Sequence, residues 1–261
     1  MKASFAELEE QYQGRVGVYA VDTETGHEVQ YRADERFAYA STHKVFSVAA
    51  VLAQSEPADL DEVVHYSSED LVEYSPVTEK HVDSGMTVRS IMRAAIINSD
   101  NTAGNLLFDM LGGPEGLQAY LAKLGDRTTS VDRIEPELNK WKPGQRRDTT
   151  TPRQAVTNLA ALTHGNALEP WAQKVLLEAM RDAENSDGLI RAAVPDAAST
   201  TVGNKSGAGI GYGTRNDIAV IEREGQAPVF VAVYTNLEDS DGVFDDAFVA
   251  DAARAALSAL D

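Results

Sequence analysis

Apolar residues recur at helical spacing through the middle of the chain and at strand spacing near its two ends. From Ser41 to about Ala183 they return every three or four residues, which predicts a series of helices. A helix beginning near Ser41 opens this series. The other predicted helices span residues 88–98, 101–111, 114–124, 151–162 and 169–181.

Alternating or continuous apolar runs between turn residues predict strands at both ends of the chain. They cover residues 15–21, 28–32, 216–222 and 228–235, and predicted helices at 5–12 and 244–257 flank them. We therefore predict an α/β fold with an antiparallel sheet flanked by helices. The sheet is built from both termini, and an all-helical domain is inserted between its strands. The boundaries would be 1–36 and 190–261 for the discontinuous α/β domain and 37–189 for the helical domain.

A cleft between two such units is a natural place for a functional site. One segment of the helical part, residues 126–148, has no apolar periodicity. Structureless loops of this length in a compact domain are usually functional. We expect this loop to contribute to the site.

Composition excludes several classes of partner. The 261 residues, 43% hydrophobic, can bury a sizeable core. The net charge of −18 repels phosphate backbones and anionic lipid, so we expect neither a nucleic-acid nor a membrane partner. Two explanations of this acidity remain open: an ordinary solvated acidic surface, or adaptation to salt.

The absence of cysteine excludes disulfides, thiolate chemistry and cysteine-bound metals. The five histidines lack ligand spacing such as His-Glu-x-x-His, so we predict no metal and no cofactor. The first residues lack the apolar core of a secretory signal. We expect either a cytoplasmic protein or a mature form whose signal was replaced by a start methionine.

Ser41 is a candidate nucleophile at the beginning of a helix. Lys44 follows one turn later and lies beside it. An amine that can lose its proton activates a serine hydroxyl, and the free N–H groups of a helix N-terminus stabilise an oxyanion. By itself the pair also fits a capping serine with a solvated lysine. The helical face is marked by Val45, Val48, Ala49 and Leu52.

Three further clusters carry reactive groups. Ser-Asp-Asn at 99–101 joins two predicted helices, Glu-Pro-Glu-Leu-Asn at 135–139 lies in the long loop, and Lys-Ser-Gly-Ala-Gly at 205–209 ends the approach to a strand. The loop cluster offers a carboxylate and an amide that can hold a water molecule. Taken singly, the clusters also fit a helix cap, an exposed acidic turn and an ordinary turn.

Together, and in this order, the four clusters resemble the class A serine β-lactamases. The similarity covers nearly the whole chain, including Asp-Thr-Thr-Thr-Pro at 148–152, and the family's Lys-Thr-Gly motif reads Lys-Ser-Gly at 205–207. It implies the fold shared by serine β-lactamases and penicillin-binding transpeptidases. It also implies hydrolysis of the β-lactam amide of penicillins and, we expect, of cephalosporins, which would confer antibiotic resistance.

The resemblance implies a role for each catalytic residue. Ser41 would attack the β-lactam carbonyl, with the backbone N–H groups of Ser41 and Ala208 as the oxyanion hole. Glu135 would activate the water that hydrolyses the acyl-enzyme, and Asn139 would help to hold that water. The base for acylation is left open between Lys44 and Glu135 acting through water. Ser99 would pass a proton to the departing ring nitrogen.

A second set would bind the substrate. Asn101 would contact its side-chain amide, and an aromatic ring at Tyr74 would wall the cleft. Its carboxylate would be held by charge-assisted hydrogen bonds. The implied substrate-binding residues are Tyr74, Asn101, Lys205, Ser206, Gly207, Ala208 and Arg215.

Two further features bear on the loop and on the helix. Arg133 and Asp148 match an ion pair that pins the two ends of the catalytic loop, although the pair could also be a weak surface one. His43 stands where phenylalanine is common. Helical geometry should point it away from the face shared by Ser41 and Lys44, so we predict a packing role.

Two departures from the family bear on substrate range. Ala40 stands where carbapenem-hydrolysing members have a disulfide-bonded cysteine, so we expect penicillins to be preferred over carbapenems. Residues 210–215 are one residue longer than in the shorter members, which affects the assignment of Arg215.

Related enzymes supply two alternatives. A D-alanyl-D-alanine peptidase or other penicillin-binding enzyme shares the serine and lysine chemistry but lacks the deacylating glutamate, so Glu135 distinguishes it. A penicillin-sensing module would be acylated once without turnover. For a β-lactamase, the resemblance implies a monomer that acts on a small molecule in the periplasm or outside the cell.

Overall fold

Five antiparallel strands form the main sheet of a computed structural model that describes residues 4–184, 186–194 and 199–260. The strands are β1 Gly14–Asp22, β2 Glu28–Tyr31, β3 Phe37–Ala38, β4 Val63–Val64, β5 Met86–Thr87, β6 Thr149–Thr150, β7 Thr200–Ala208, β8 Arg215–Arg223 and β9 Val229–Leu237. The main sheet has the order β2-β1-β9-β8-β7, while β3 pairs with β6 and β4 with β5. Strands from the two ends of the chain therefore meet in one sheet.

The helices surround this sheet. They are α1 Phe5–Tyr12, α2 His43–Leu52, α3 Val88–Ile97, α4 Asn101–Leu111, α5 Pro114–Lys123, α6 Pro152–Thr163, α7 Pro170–Arg181, α8 Ile190–Ala193 and α9 Asp246–Leu260. Side-chain caps fix several of their beginnings: Thr87 caps α3, Asp100 caps α4 and Thr151 caps α6. Each cap accepts a hydrogen bond from a backbone N–H that the helix leaves unpaired.

The sheet is buried on both faces. In β9, Phe230 and Tyr234 point into a large core shared with α2 to α7, whereas Val231 and Val233 point into a second core with α1, α8 and α9. A strand covered on both faces has no polar side to alternate with. This explains the continuous apolar run of β9.

The predicted fold class is confirmed. The predicted helices at 5–12, 88–98, 101–111, 114–124, 151–162 and 169–181 agree with α1 and α3 to α7 within one residue at each end. The predicted strands likewise agree with β1, β2, β8 and β9 within two residues. Within the described ranges, none of the helices is both long and apolar enough to cross a membrane.

The predicted position of the Lys-Ser-Gly cluster was wrong, because the cluster lies inside β7 rather than before a strand. Polar Asn204, Lys205 and Ser206, with glycine on both sides, hide the apolar pattern. All three side chains are nevertheless buried. The four two-residue strands β3 to β6 were also missed, since two residues carry no periodicity.

A buried carboxyl group, that of Asp217, lies in the middle of β8. It accepts hydrogen bonds from Asn204 Nδ2 (3.0 and 2.9 Å) and from the Ile190 backbone N–H (3.1 Å). Burial raises the pKa of Asp217 to about 7, although these hydrogen bonds and the nearby cations oppose the shift. The folded protein therefore retains a proton at pH values where the unfolded chain has lost it.

We expect Asp217→Asn to change how stability depends on pH. Protonated Asp217 favours the folded state below its unfolded pKa, near 3.8, and this contribution is lost as the pH rises to about 7. The loss reaches at most about 1.4 kcal/mol per pH unit. Unfolding free energies measured at pH 5 and pH 8 should therefore differ less in the variant than in the parent protein.

Asp61→Asn is the matched control for this test. Asp61 is an exposed carboxylate whose side chain keeps 75% of its accessible surface. The control should retain the parent difference between the two pH values. A parent-like difference in Asp217→Asn as well would contradict titration of this group.

Candidate active site

Ser41 lies in a 3₁₀ turn, Ala40–Thr42, directly before α2. The turn begins with Ala40 at a φ of +46°, a left-handed conformation that costs a non-glycine residue free energy. Thr42 Oγ1 holds the turn by donating to the Tyr39 carbonyl at 2.8 Å. The candidate nucleophile is thus fixed at the beginning of a wholly buried helix.

Strand β7 approaches this turn closely. A Cβ atom on Gly207 would lie 2.9 Å from the Tyr39 carbonyl oxygen and 3.2 Å from Cγ2 of Thr42. On β8, Asn216 Nδ2 donates to the Ala38 carbonyl at 2.8 Å and ties the turn to the sheet. Glycine at 207 therefore allows the end of β7 to lie beside Ser41.

Lys44 is completely buried beside four oxygen atoms. Its Nζ lies 3.0 Å from Ser41 Oγ, 2.9 Å from the Ser99 carbonyl, 2.7 Å from Asn101 Oδ1 and 3.1 Å from Glu135 Oε1. An ammonium group has three hydrogens, so it cannot donate to all four. Burial lowers the pKa of Lys44, against the attraction of the Glu135 carboxylate. A neutral amine here could accept the proton of Ser41.

Glu135 is the buried carboxylate of the long loop. Its Oε1 lies 3.5 Å from Ser41 Oγ, which is placed to donate to it, and its Oε2 accepts from Asn139 Nδ2. Burial raises the pKa of Glu135, but Lys44 and His43 outweigh this effect and bring it to about 2. The group is therefore ionised at neutral pH and can accept a proton.

The side chain of Asn105 on α4 fixes the backbone of Glu135. Its Oδ1 accepts from the Glu135 N–H and its Nδ2 donates to the Glu135 carbonyl, both at 2.9 Å. Another α4 residue, Gly104, makes room for the lysine, because a Cβ there would lie 2.9 Å from Lys44 Cε. The loop and α2 are thus aligned by α4, and sequence reasoning missed both contacts.

His43 has the packing contact that the sequence analysis predicts and a second contact that it does not predict. The ring stacks on Phe108, with centroids 5.1 Å apart, as a packing role requires. The prediction that it points away from the face shared by Ser41 and Lys44 did not anticipate a second contact, because its Nε2 lies 3.3 Å from Glu135 Oε1. The carboxylate belongs to a distant loop that folds over the helix, and helical periodicity cannot predict its position.

Ser99 connects the two buried lysines. Lys205 Nζ donates to Ser99 Oγ at 3.0 Å, and Lys44 Nζ donates to the Ser99 carbonyl at 2.9 Å. Burial and the Lys44 charge hold the pKa of Lys205 well below its usual range. Ser99 itself has a left-handed φ of +58°, which places its hydroxyl between α3 and α4.

A cleft of about 350 Å³ opens in front of these groups. Tyr74 stands at its edge with 55% of its surface exposed. Lys44, Glu135, Lys205 and Gly207 do not line the cleft but lie behind its wall. The lining consists of Ser41, Glu73, Tyr74, Asn98, Ser99, Asn101, Pro136, Asn139, Glu184, Ser206, Ala208, Ile210 and Arg215.

Arg215 reaches the cleft in spite of the longer turn before it. Its Nε donates to Asp246 Oδ1 at 2.7 Å, and its guanidinium lies over the Phe244 ring, 4.9 Å from the centroid. Asp246 is the first residue of α9. Sequence reasoning missed this partner, because nothing in the local pattern around Asp246 indicates a contact with β8.

In the Arg133–Asp148 ion pair, the aspartate side chain is fully buried. Asp148 Oδ2 accepts from Arg133 Nε at 2.5 Å, while Oδ1 accepts from the backbone N–H groups of Asp132 and Arg133 at 3.0 Å and from Tyr39 Oη at 3.1 Å. A fully buried carboxylate with four donors is not a weak surface pair. It joins the two ends of the catalytic loop to the segment before Ser41.

These groups form one catalytic arrangement. A serine at a helix mouth has a buried amine on one side and an ionised carboxylate on the other, and hydroxyl and cationic groups surround the cleft. In the part of the chain that the structure describes, no group of three or more His, Cys, Asp or Glu side chains could hold a metal ion. The fold and the site together define a serine enzyme of the acyl-transfer type.

Comparisons with known proteins identify the family. The sequence profile of the β-lactamase enzyme family matches residues 1–260. A β-lactamase from Bacillus amyloliquefaciens is 47% identical over 98% of this chain and 83% of its own length. One from Amycolatopsis lactamdurans is 48% identical over 100% of this chain and 85% of its own.

Solved structures agree with this result. A class A β-lactamase from Clostridium kluyveri superposes with a TM-score of 0.95 at 43% identity, covering 99% of this chain and 97% of that one. A halotolerant bacterial β-lactamase gives 0.95 at 45% identity, covering 100% and 99%. The chain belongs to the β-lactamase enzyme family, and it is a class A serine β-lactamase.

We expect Arg133→Ala to destabilise the catalytic loop. The substitution leaves Asp148 buried without its cation, which should lower the free energy of unfolding by about 3 kcal/mol. Hydrolysis should also slow, because Glu135 belongs to the same loop. Chemical denaturation and steady-state kinetics would measure the two effects.

Arg89→Ala is the matched control. Arg89 pairs with Asp61 on the surface, where both side chains are well exposed, so its loss should change the free energy of unfolding by less than about 0.5 kcal/mol. Equal stability and turnover of Arg133→Ala and the parent enzyme would contradict a structural role for the buried pair.

Proposed function

We propose that this enzyme opens the β-lactam ring of penicillins and cephalosporins through an acyl-enzyme on Ser41, which a water molecule activated by Glu135 then hydrolyses. The proposal depends most on one observation. Ser41 Oγ accepts from Lys44 Nζ at 3.0 Å and lies 3.5 Å from Glu135 Oε1, so the carboxylate, and the amine when it is neutral, are each within reach of the hydroxyl proton. Both acceptors are shielded from bulk water, which strengthens their electrostatic interactions.

Acylation begins when Ser41 Oγ attacks the β-lactam carbonyl. The hydroxyl proton goes either to Lys44 directly or to Glu135 through a water molecule. The developing oxyanion accepts hydrogen bonds from the backbone N–H groups of Ser41 and Ala208, both of which line the cleft. Gly207 supports this arrangement because it lets β7 approach the nucleophile turn.

Ring opening requires a proton on the departing nitrogen. We assign its delivery to Ser99, whose Oγ accepts from the Lys205 ammonium at 3.0 Å. The hydrogen bond from Lys205 makes the Ser99 hydroxyl a better acid, because a positive charge favours loss of its proton. The group that took the Ser41 proton, Lys44 or Glu135, can return it to Ser99, so the proton lost by the nucleophile ends on the departing nitrogen.

Deacylation needs a base and a positioned water molecule. Glu135 is ionised at neutral pH, and Asn139 donates to its Oε2. The other amide atom, Asn139 Oδ1, is buried and has no hydrogen-bond partner among the described residues. It is therefore available to accept from the attacking water while Glu135 removes the proton.

The substrate carboxylate would lie at the far end of the cleft. Ser206 and Arg215 line the cleft there, and Lys205 lies just behind them. Arg215 is oriented by Asp246, which leaves its charge near the cleft wall. Asn101 and Tyr74 would contact the substrate side chain, and the resemblance favours penicillins over carbapenems.

We also propose the wider organisation expected from the sequence. Residues 37–189 would form a helical domain that carries Ser41 and the catalytic loop, and 1–36 with 190–261 would form the α/β domain that carries Lys205. The net charge of −18 supports the absence of a nucleic-acid partner. By family resemblance, the enzyme would act as a monomer in the periplasm or outside the cell.

We expect Glu135→Ala to separate the two halves of the reaction. Ser41 should still be acylated, while hydrolysis of the acyl-enzyme slows by ~10²–10⁴ through loss of the general base. Mass spectrometry of the variant with excess benzylpenicillin should show a covalent adduct that persists. Absence of an adduct would contradict this division of roles, unless Glu135 also serves acylation.

Two controls define the result. Glu137→Ala changes an exposed glutamate of the same loop, whose side chain pairs with Lys140, and should leave turnover unchanged. Ser41→Ala should abolish both the adduct and sustained hydrolysis of a chromogenic cephalosporin. A parent enzyme that stops after one equivalent would instead indicate a penicillin-binding or sensing protein.

A further inference from the structure

His43 is buried beside the catalytic groups, and no proposed step of the reaction uses it. Its side chain has only 2% exposure, and its two ring nitrogens contact different partners. Nε2 lies 3.3 Å from Glu135 Oε1, and Nδ1 lies 3.1 Å from Ser47 Oγ, one helical turn further along α2. The ring therefore connects α2 to the catalytic carboxylate.

These partners determine which nitrogen carries the proton. An ionised carboxylate only accepts hydrogen bonds, so Nε2 must carry a hydrogen to interact favourably with Glu135. The Ser47 hydroxyl can donate to Nδ1, which completes the neutral tautomer. Burial lowers the pKa of His43, which agrees with a neutral ring, although the Glu135 carboxylate opposes the shift.

Both oxygens of the carboxylate are then restrained. Asn139 Nδ2 donates to Oε2, and His43 shares Oε1 with Lys44. Lys44 Nζ also donates to Ser41, Ser99 and Asn101. Its interaction with Oε1 therefore changes when Lys44 gains or loses a proton. Within the described part of the chain, Glu135 Oε1 is the acceptor that the structure gives for His43 Nε2.

We propose that His43 is a positioning residue for the deacylation step, holding Oε1 of Glu135 through an Nε2–H hydrogen bond backed by Ser47. This inference rests on the proposed role of Glu135 as the deacylation base. A hydrogen bond to the ionised carboxylate keeps it ionised at lower pH and fixes the direction from which it meets the attacking water.

Other ionisable groups also face this part of the site. Lys44 on α2 and Lys205 on β7 both oppose a positive charge on His43, and Glu135 on the loop favours one. Tyr39 lies against the ring, with centroids 5.7 Å apart, and its hydroxyl donates to Asp148. The experiment must therefore compare variants in which these groups are unchanged.

His43→Phe removes the hydrogen bond and keeps an aromatic ring against Phe108. We expect the deacylation rate constant to fall roughly tenfold through poorer orientation of the base. We also expect the acid limb of kcat, which Glu135 places near pH 2 and which must be followed from pH 7 down to that value, to move upward by about one unit. The direction follows because loss of a donor to the ionised form raises the pKa of Glu135.

Conservative variants separate the hydrogen bond from packing. His43→Gln can place an amide N–H near the position of Nε2. It should restore part of the deacylation rate constant and move the acid limb of kcat part of the way back to its parent position. Ser47→Ala removes the partner of Nδ1 and should shift the limb in the same direction by less. Phe108→Leu weakens the stacking alone, so it should lower thermal stability and leave the acid limb where it is.

A double variant tests whether His43 acts through Glu135. In a Glu135→Gln background, adding His43→Phe should not slow deacylation of the preformed acyl-enzyme further. An equal additional loss there, or a parent-like acid limb in His43→Phe, would overturn the inference. Rapid deacylation by Glu135→Gln alone would instead refute the proposed base, so the two failures are distinguishable.

Discussion

The active site is organised by the need to bury three charged groups together. Lys44, Lys205 and Glu135 each have at most 1% of their surface exposed, and an isolated charge in such a place would be strongly unfavourable. They are tolerated because hydrogen bonds and opposite charge compensate them, as the four oxygens around Lys44 illustrate. Helix α2, strand β7 and the catalytic loop each supply one of the three charges. Correct assembly of these elements is therefore what makes the site stable.

Two buried aspartates hold strained backbone in place around this cluster. Ala40, Tyr74, Ser99 and Asp148 all have left-handed φ values. Asp148 joins the loop to the segment before Ser41. Asp100 caps α4 and also accepts from the backbone N–H groups of Val77 and Thr78, near Tyr74. A buried carboxylate with several donors fixes the backbone around it through many hydrogen bonds. These bonds allow unfavourable backbone conformations to persist at a functional site.

Local sequence signals predicted the frame of the molecule but only part of the site. Helices α3, α4 and α6 have both an apolar period and a capping residue, so their bounds could be read closely. Strand β7 could not be predicted, because its polar side chains are buried against distant segments: Asn204 donates to Asp217, and Lys205 donates to Ser99. The contacts of His43 and Arg215 could not be predicted from the sequence for a related reason. Glu135 and Asp246 are distant in sequence, and only the packed fold brings them close.

The acidity of the whole protein does not conflict with an anionic substrate. The net charge is −18, yet the groups in and behind the cleft include Lys44, Lys205 and Arg215. At physiological ionic strength, exposed charges are screened beyond about 8 Å, whereas partly buried charges at short range are screened much less. An anion entering the cleft would therefore respond more strongly to the nearby charges, Glu73 and Glu184 as well as these cations, than to the distant surface. The acidic surface and the catalytic chemistry are electrostatically separable, so one can change without the other.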